Sequence, residues 1–240
     1  MMKFSVIIPT LNEEESIRDT IRKVYRLNPD VEIIVVDGGS KDRTVGIAHE
    51  EGATVIDSRR GRGPQFNAGV VNASGNILLF LHSDTILPQD AFKVLEESFQ
   101  DENVQIGTFK VTFEPKHWLL DIGAYFLRFD SVITRFGDQC IVVRKSFFHD
   151  MGGFPDWPLF EDVHILRVAR KRTWIYFFPG TVITSSRRFI ENGVVTQLLR
   201  NLWYMLLYLV GVDPRELARR YEGDQGPRSV RRRNSTTQLA

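Results

Sequence analysis

Three stretches, Phe4–Ile8, Val31–Val36 and Ile77–Leu81, are short apolar runs with little or no alternation. A strand covered on both faces has this pattern, as in a parallel sheet flanked by helices. Thr54–Asp57 reads as a further, short strand. Between the runs the period changes. Ile17, Ile21, Val24 and Tyr25 recur at helical spacing, so a helix with one buried face is expected, ending at Asn28-Pro29-Asp30. Asn12 is expected to cap it, with Glu13, Glu14 and Glu15 in the first turn. Pro9 is expected to stop the first strand. A second helix, capped by Ser40 or Asp42, should reach Glu50, and a third, with Pro64 in its first turn, about Ala73.

Strand and helix thus alternate up to Leu81, which argues for an α/β fold, a parallel sheet with helices on both faces. Right-handed crossovers favour the strand order 3-2-1-4. Ligands in such sheets sit beyond the carboxyl ends of the strands, at the switch point. Thr10–Glu13, Asp37–Ser40 and His82–Thr85 should therefore gather at one crevice.

The second half is less regular. Helices are expected at Pro88–Phe99, His117–Phe129, Glu161–Arg170, Val194–Val212 and Pro214–Tyr221. Strands are expected at Gln105–Phe113, Gln139–Arg144, Trp174–Phe178 and Thr181–Ser185, and Gly152–Pro158 must be a loop. From Glu222 the chain turns polar and basic and reads as a disordered tail. No internal repeat or linker suggests a second domain.

Composition changes this picture little. With 240 residues, 42% apolar and 25% charged, the chain is an ordinary globular one. A net charge of +1 gives no global field for nucleic acid, which is not an expected partner. A single cysteine, Cys140, excludes an internal disulfide framework and suits a reducing compartment. The apolar start is too short for a signal peptide, and no segment reaches the roughly 18–20 apolar residues of a membrane span. A cytoplasmic location follows, with attachment at the inner face of the membrane as a variant of it.

Candidate chemistry lies at the strand ends. Gly61–Gly69, G-R-G-P-Q-F-N-A-G, fails as a dinucleotide fingerprint, because Phe66 stands where glycine is required and the loop does not follow the first strand. Its arginines, Arg62 among them, still lie near a helix N-terminus, which suits phosphate; a solvated basic loop would look the same. Asp37 and Asp84 end buried strands on one side, and two carboxylates there can hold a hard cation together with phosphates. Either acid alone would be an ordinary turn residue. Glu161-Asp162 opens a helix, where acids are common, but an acid facing the crevice could serve as a general base.

Together, V-I-I-P-T-L-N-E-E at Val6–Glu14, V-V-D-G-G-S-K-D-R-T at Val35–Thr44, L-H-S-D-T at Leu81–Thr85 and E-D at Glu161–Asp162 resemble family 2 glycosyltransferases. The motifs span about two-thirds of the chain. The resemblance implies a GT-A fold and inverting transfer from a nucleotide-diphosphate sugar, assisted by Mn²⁺ or Mg²⁺. It implies that Thr10, Asn12, Glu13 and Asp37 lie around the nucleoside, within a donor site drawn from Pro9, Thr10, Asn12, Glu13, Asp37, Gly38, Ser40, Arg62, Gln65, His82, Ser83 and Asp84. Asp84 matches the metal-binding acid of a D-x-D motif, and Asp162 the acid assigned as base, with Glu161 beside it. His82 departs from the motif; an imidazole can bind Mn²⁺ but is a poor Mg²⁺ ligand. His164 is expected to face solvent.

In these terms residues 1–221 form one domain: a nucleotide-binding half (1–85), an acceptor and catalytic half (86–192) and C-terminal helices (193–221). Asp138, Gln139, Trp157, Arg187 and Arg188 are expected near the acceptor or the diphosphate. Phe154 is expected to anchor its loop rather than stack on a sugar. Val194–Val212 is expected to be a core or homo-oligomer helix, with in-plane membrane contact and a lipid-linked acceptor as the alternative. A non-catalytic nucleotide-sugar-binding module on the same fold would share most of these features. A nucleotidyltransferase would need a different glycine-rich phosphate loop near the N-terminus.

Overall fold

The computed structural model describes residues 2–126 and 139–224. The first half runs β1 (Phe4–Thr10), α1 (Ile17–Leu27), β2 (Glu32–Asp37), α2 (Thr44–Glu50), β3 (Thr54–Asp57), α3 (Arg62–Asn72) and β4 (Ile77–Phe80). Then come β5 (Thr85–Ile86), α4 (Ala91–Ser98), β6 (Ile106–Glu114), α5 (Trp118–Phe126), β7 (Ile141–Arg144), α6 (Lys145–Asp150) and α7 (Glu161–Arg170). β8 (Tyr176–Ser185), α8 (Arg187–Asn192), α9 (Val194–Leu209) and α10 (Pro214–Asp224) follow.

The described strands form one mixed, mostly parallel sheet in the order β3-β2-β1-β4-β7-β6-β8-β5. Its first four strands are parallel in the expected 3-2-1-4 order. β7 then joins β4 antiparallel and starts the second half of the sheet. The unbroken apolar runs now have their cause. Val6, Ile8, Ile77 and Leu79 pack on one side of the sheet with Ile17 and Ile21 of α1. Ile7, Leu78 and Phe80 pack on the other side with Phe66 and Val70 of α3. α3 lies so close that a Cβ on Gly69 would fall 2.3 Å from Ile7 Cγ2.

Several expectations need correction. Pro9 does not stop β1, which pairs through Pro9↔Val36 and Thr10↔Asp37. β4 leaves the ladder opposite Ile7, so no neighbour on that side needs the N–H that proline lacks. Asn12 is not a helix cap: α1 begins only at Ile17, and Asn12 sits at φ +56°, in the left-handed region that asparagine tolerates. Neither Ser40 nor Asp42 is the N-cap of α2, which is Arg43 without a side-chain cap bond; Asp42 accepts the N–H of Thr44 at 3.0 Å just before the helix, and Ser40 Oγ accepts the N–H of Asn12. Trp174–Phe178 and Thr181–Ser185 are not two strands. One strand, β8, carries Tyr176–Ser185 through Pro179-Gly180, with a register shift opposite Thr108–Lys110 and Gly180 at φ +104°. β5, α6 and α8 were not expected. α10 extends to Asp224, past the expected start of the tail, and Leu127–Phe129 and residues 225–240 lie outside the described residues.

The crevice at the carboxyl ends of the strands

The three sequence stretches meet as expected, and a lattice of short polar contacts holds them. Thr10 and Asp37 end adjacent parallel strands, and Thr10 Oγ1 donates to Asp37 Oδ1 at 3.1 Å. Oδ2 of Asp37 accepts the N–H groups of Gly39 at 2.9 Å and Ser40 at 2.7 Å, and Oδ1 also accepts the Ser40 hydroxyl. The buried Asp37 carboxylate therefore organises the turn after β2. The loop after β1 is stitched to this turn in both directions. Ser40 Oγ accepts from Asn12 N, Asn12 Oδ1 accepts from Lys41 N, and Thr44 Oγ1 accepts from Glu13 N, each at 2.8 Å. Gln65, buried on α3, donates through Nε2 to the carbonyls of Thr10 at 2.9 Å and Val36 at 2.7 Å. It clamps the ends of β1 and β2, and its amide lies 3.1 Å from where a Cβ on Gly38 would sit.

His82–Thr85 forms a tight turn closed by Thr85 N–H on the His82 carbonyl at 3.1 Å. Thr20 of α1 grips it by donating to the Ser83 carbonyl at 2.6 Å, and Thr85 meets Thr184 of β8 at 3.1 Å. Ser83 is buried, so Asp84 is the more open of the two central residues. The His82 ring packs against Phe66, centroids 6.2 Å apart. Thr20 was missed at the sequence level, although a threonine among Ile17, Ile21 and Val24 on a buried helix face was a usable signal.

Glu13 brings the first and third stretches together. Burial holds its carboxyl above the ordinary carboxylate range, and the charge of Asp84 pushes the same way; Ser16, Arg187 and Ser83 pull against both. A raised folded-state value means stability that is complete below the ordinary value of 4.5 and is lost as pH rises through the folded value. Glu13→Gln, which cannot ionise, is thus expected to raise Tm at neutral pH, with the gain fading below about pH 4.5. An equal gain at both pH values would show that charge is not the cause. Two acids that repel one another are a donor set for a hard cation. No cluster of three metal-ligating side chains forms among the described residues, so the remaining ligands would be phosphate oxygens and water.

α7 packs against α3. Phe160, at φ +64°, turns the chain into the helix and stacks on Tyr208 of α9 at 4.7 Å. Glu161 and Asp162 follow, both buried. Glu161 Oε1 lies 2.9 Å from Arg62 Nε at the start of α3. Gly63 lets the two segments close, since a Cβ there would fall 2.3 Å from the Pro155 carbonyl. Asp162 Oδ1 accepts the Val163 N–H at 2.7 Å. Asp37, Gln65, Arg62, Glu161 and Asp162 thus lie along a continuous packed path.

The other expected residues are spread more widely. Arg187 Nη1 pairs with Glu15 at 2.7 Å, and Nη2 is 3.9 Å from Glu13, so α8 closes one side of the crevice. Arg188 is exposed beside it and forms no ion pair with a described residue. Gln139 is buried and accepts from Thr108 Oγ1 at 3.3 Å; Asp138 lies outside the described residues. Trp157 packs edge-on against His164 at 4.5 Å and also touches Tyr208, so His164 faces an indole rather than open solvent. Burial, with Arg167 and Lys171 nearby, lowers its pKa. Phe154 is buried among Phe66, Phe80 and Phe148, an anchor as expected.

Comparison with known proteins gives the same picture. Residues 5–150 match the family described as glycosyl transferase family 2. The chain is 30% identical over 119 residues to poly-beta-1,6-N-acetyl-D-glucosamine synthase of Staphylococcus epidermidis, covering 47% of this chain and 28% of that protein. It is 26% identical over 211 residues to the probable glycosyltransferase YdaM of Bacillus subtilis, covering 75% of this chain and 50% of that protein. The chain therefore spans half or less of these two relatives. Glucosyl-3-phosphoglycerate synthase from Mycobacterium tuberculosis, solved with Mn²⁺, UDP-glucose and phosphoglyceric acid, superposes with a TM-score of 0.61 at 21% identity over 88% of this chain and 81% of that one. The shared architecture is the GT-A fold.

Proposed function

The chain belongs to glycosyl transferase family 2, and we propose that it moves a sugar from a nucleoside-diphosphate sugar to an acceptor hydroxyl with inversion at the anomeric carbon. The observation that carries this reading is the joining of the ends of β1 and β2, where Thr10 Oγ1 donates to Asp37 Oδ1 at 3.1 Å and Gln65 of α3 ties both ends together, to the Glu161-Asp162 helix through the Arg62–Glu161 pair. Pro9, Thr10, Asn12, Gly38 and Ser40 line the nucleoside end, whose shape Asp37 and Gln65 hold. Asp84, with Glu13 or His82 beside it, is the metal-binding group. A bound Mn²⁺ or Mg²⁺ would neutralise charge growing on the departing β-phosphate.

Arginines at the rim contribute to the same end. Arg62 and Arg187 are already matched by Glu161 and by Glu15 and Glu13, which leaves Arg188 the freest to meet a diphosphate. Asp162 takes the acceptor proton as its oxygen attacks from the face opposite the leaving group. No covalent intermediate on the protein is required. Glu161, buried against Arg62, positions the start of α7 and so Asp162. Trp157 and Gln139 stand on the acceptor side as supports.

A thermal-shift series with UDP, GDP and their sugars, with and without Mn²⁺, tests the reading. At a hundredfold excess over Kd, ligand binding adds about 2.7 kcal/mol, which for a domain of this size is a rise of several degrees. One nucleotide is expected to give that rise, larger with Mn²⁺, and Asp84→Asn is expected to remove the metal-dependent part. No shift with any nucleoside diphosphate would sink the donor assignment. Binding without release of nucleoside diphosphate, across donors and acceptors, would instead favour a non-catalytic sugar-nucleotide module.

A further inference from the structure

Helix α9 is apolar on the wrong side for a core helix. Its inward face carries Gln197, Tyr204, Met205 and Tyr208, all buried. Gln197 is fully used there: it accepts from Asn192 Nδ2 at 2.9 Å and donates to Asn201 Oδ1 at 2.7 Å and Tyr221 Oη at 3.0 Å. The outward face carries Val195, Leu199, Leu202, Trp203, Leu206 and Leu209, each 41–62% exposed. Their spacing of three and four residues sets them in one stripe along a helix of 16 residues, about 24 Å long. α5 packs beside α9 and exposes Trp118. An apolar area this continuous is unusual on a surface that meets only water. The expected core role thus holds for one side of the helix only.

The charges around the stripe select the occupant. From Arg187 on the sequence holds ten arginines, no lysine and five acids, with four of the arginines outside the described residues, while the rest of the chain is net negative. Those arginines that lie within the described residues include Arg188 of α8 and Arg215, Arg219 and Arg220 of α10, the last two sharing Glu216 at 3.5 and 2.9 Å while staying exposed, and both helices pack against α9. Twofold pairing of two copies through the stripe would bring like arginine rims toward one another. A bilayer bearing acidic headgroups meets both needs, taking the apolar stripe at its interface and the arginines at its surface. Exposed tryptophans such as Trp203 and Trp118 suit that boundary. No described helix is long and apolar enough to cross a membrane.

We propose that the outward face of α9, rimmed by arginines of α8 and α10, is a docking surface for an acidic lipid bilayer on which the chain lies flat. The inner side of the same helix seats Phe160 just before Glu161-Asp162. Docking would therefore place the reactive end of the crevice near the headgroups.

The test is co-sedimentation of the full chain with phosphatidylcholine vesicles and with vesicles also containing phosphatidylglycerol, without donor or metal. Binding is expected to the acidic vesicles, weakening as salt rises. The double substitution Leu202→Asp, Leu206→Asp is expected to weaken it about ten-fold or more. Both leucines are exposed, so Tm should not fall, and a circular dichroism melt confirms that the variant is folded. A chain that stays in the supernatant with acidic vesicles at low salt overturns the proposal, as does equal binding to neutral vesicles. A dimer seen by light scattering, and dissolved by the same two substitutions, would also overturn it by assigning the stripe to a second copy.

Discussion

Asp162→Asn is expected to slow sugar transfer by about 10²–10⁴-fold, the usual contribution of a positioned general base. The change is nearly isosteric. The amide oxygen of asparagine can still accept the Val163 N–H that Asp162 Oδ1 accepts at 2.7 Å, so the first turn of α7 keeps its shape. Donor binding, read as the thermal shift with nucleotide and Mn²⁺, should be unchanged, because the loss falls on proton transfer from the acceptor. One readout separates this role from a structural one. KM for the donor should stay within about two-fold while kcat falls. Near wild-type transfer by a folded Asp162→Asn chain would end the base assignment. It would not touch the donor site, which is tested by binding alone.

Much of this geometry could be read in the amino acids because the parallel half obeys strong local rules. Runs such as Ile77–Leu81 have no alternation since both faces are covered, and right-handed crossovers then leave one common strand order. The three polar stretches had to meet once that order was set. The second half breaks those rules. β8 passes through Pro179-Gly180, which reads as a strand end, and only pairing with β6 shows it to be continuous. β5 is two residues long and exists because Thr85 and Ile86 find Thr184 and Ile183 across the sheet. Asn12 looked like a cap because asparagine suits caps and left-handed turns alike; its partner, Lys41, is 29 residues away. The apolar content of α9 was plain, but which side faces out depends on Gln197 and its partners.

Glu161 and Asp162 are adjacent, and the sequence offers both as catalytic acids. Consecutive helical residues point about 100° apart, so only one of them can face the crevice squarely while the other turns toward α3. Glu161 is the one paired with Arg62 at 2.9 Å, its side chain 1% exposed against 34% for the arginine. The asymmetry of that pair predicts an asymmetry of mutants. Arg62→Ala leaves a buried carboxylate without this partner and is expected to cost about 3–5 kcal/mol, as for other buried pairs broken from one side. Glu161→Ala leaves a guanidinium that can turn to water, so the cost should be smaller, about 2–3 kcal/mol. Urea titrations of both single variants and the double variant measure the coupling directly. Additive losses would show the pair to be energetically idle. Activity should follow position rather than chemistry: Glu161→Gln keeps an oxygen facing Arg62, so it should lower kcat far less than Asp162→Asn. If Glu161→Gln lost more kcat than Asp162→Asn, the two acids would have to exchange roles.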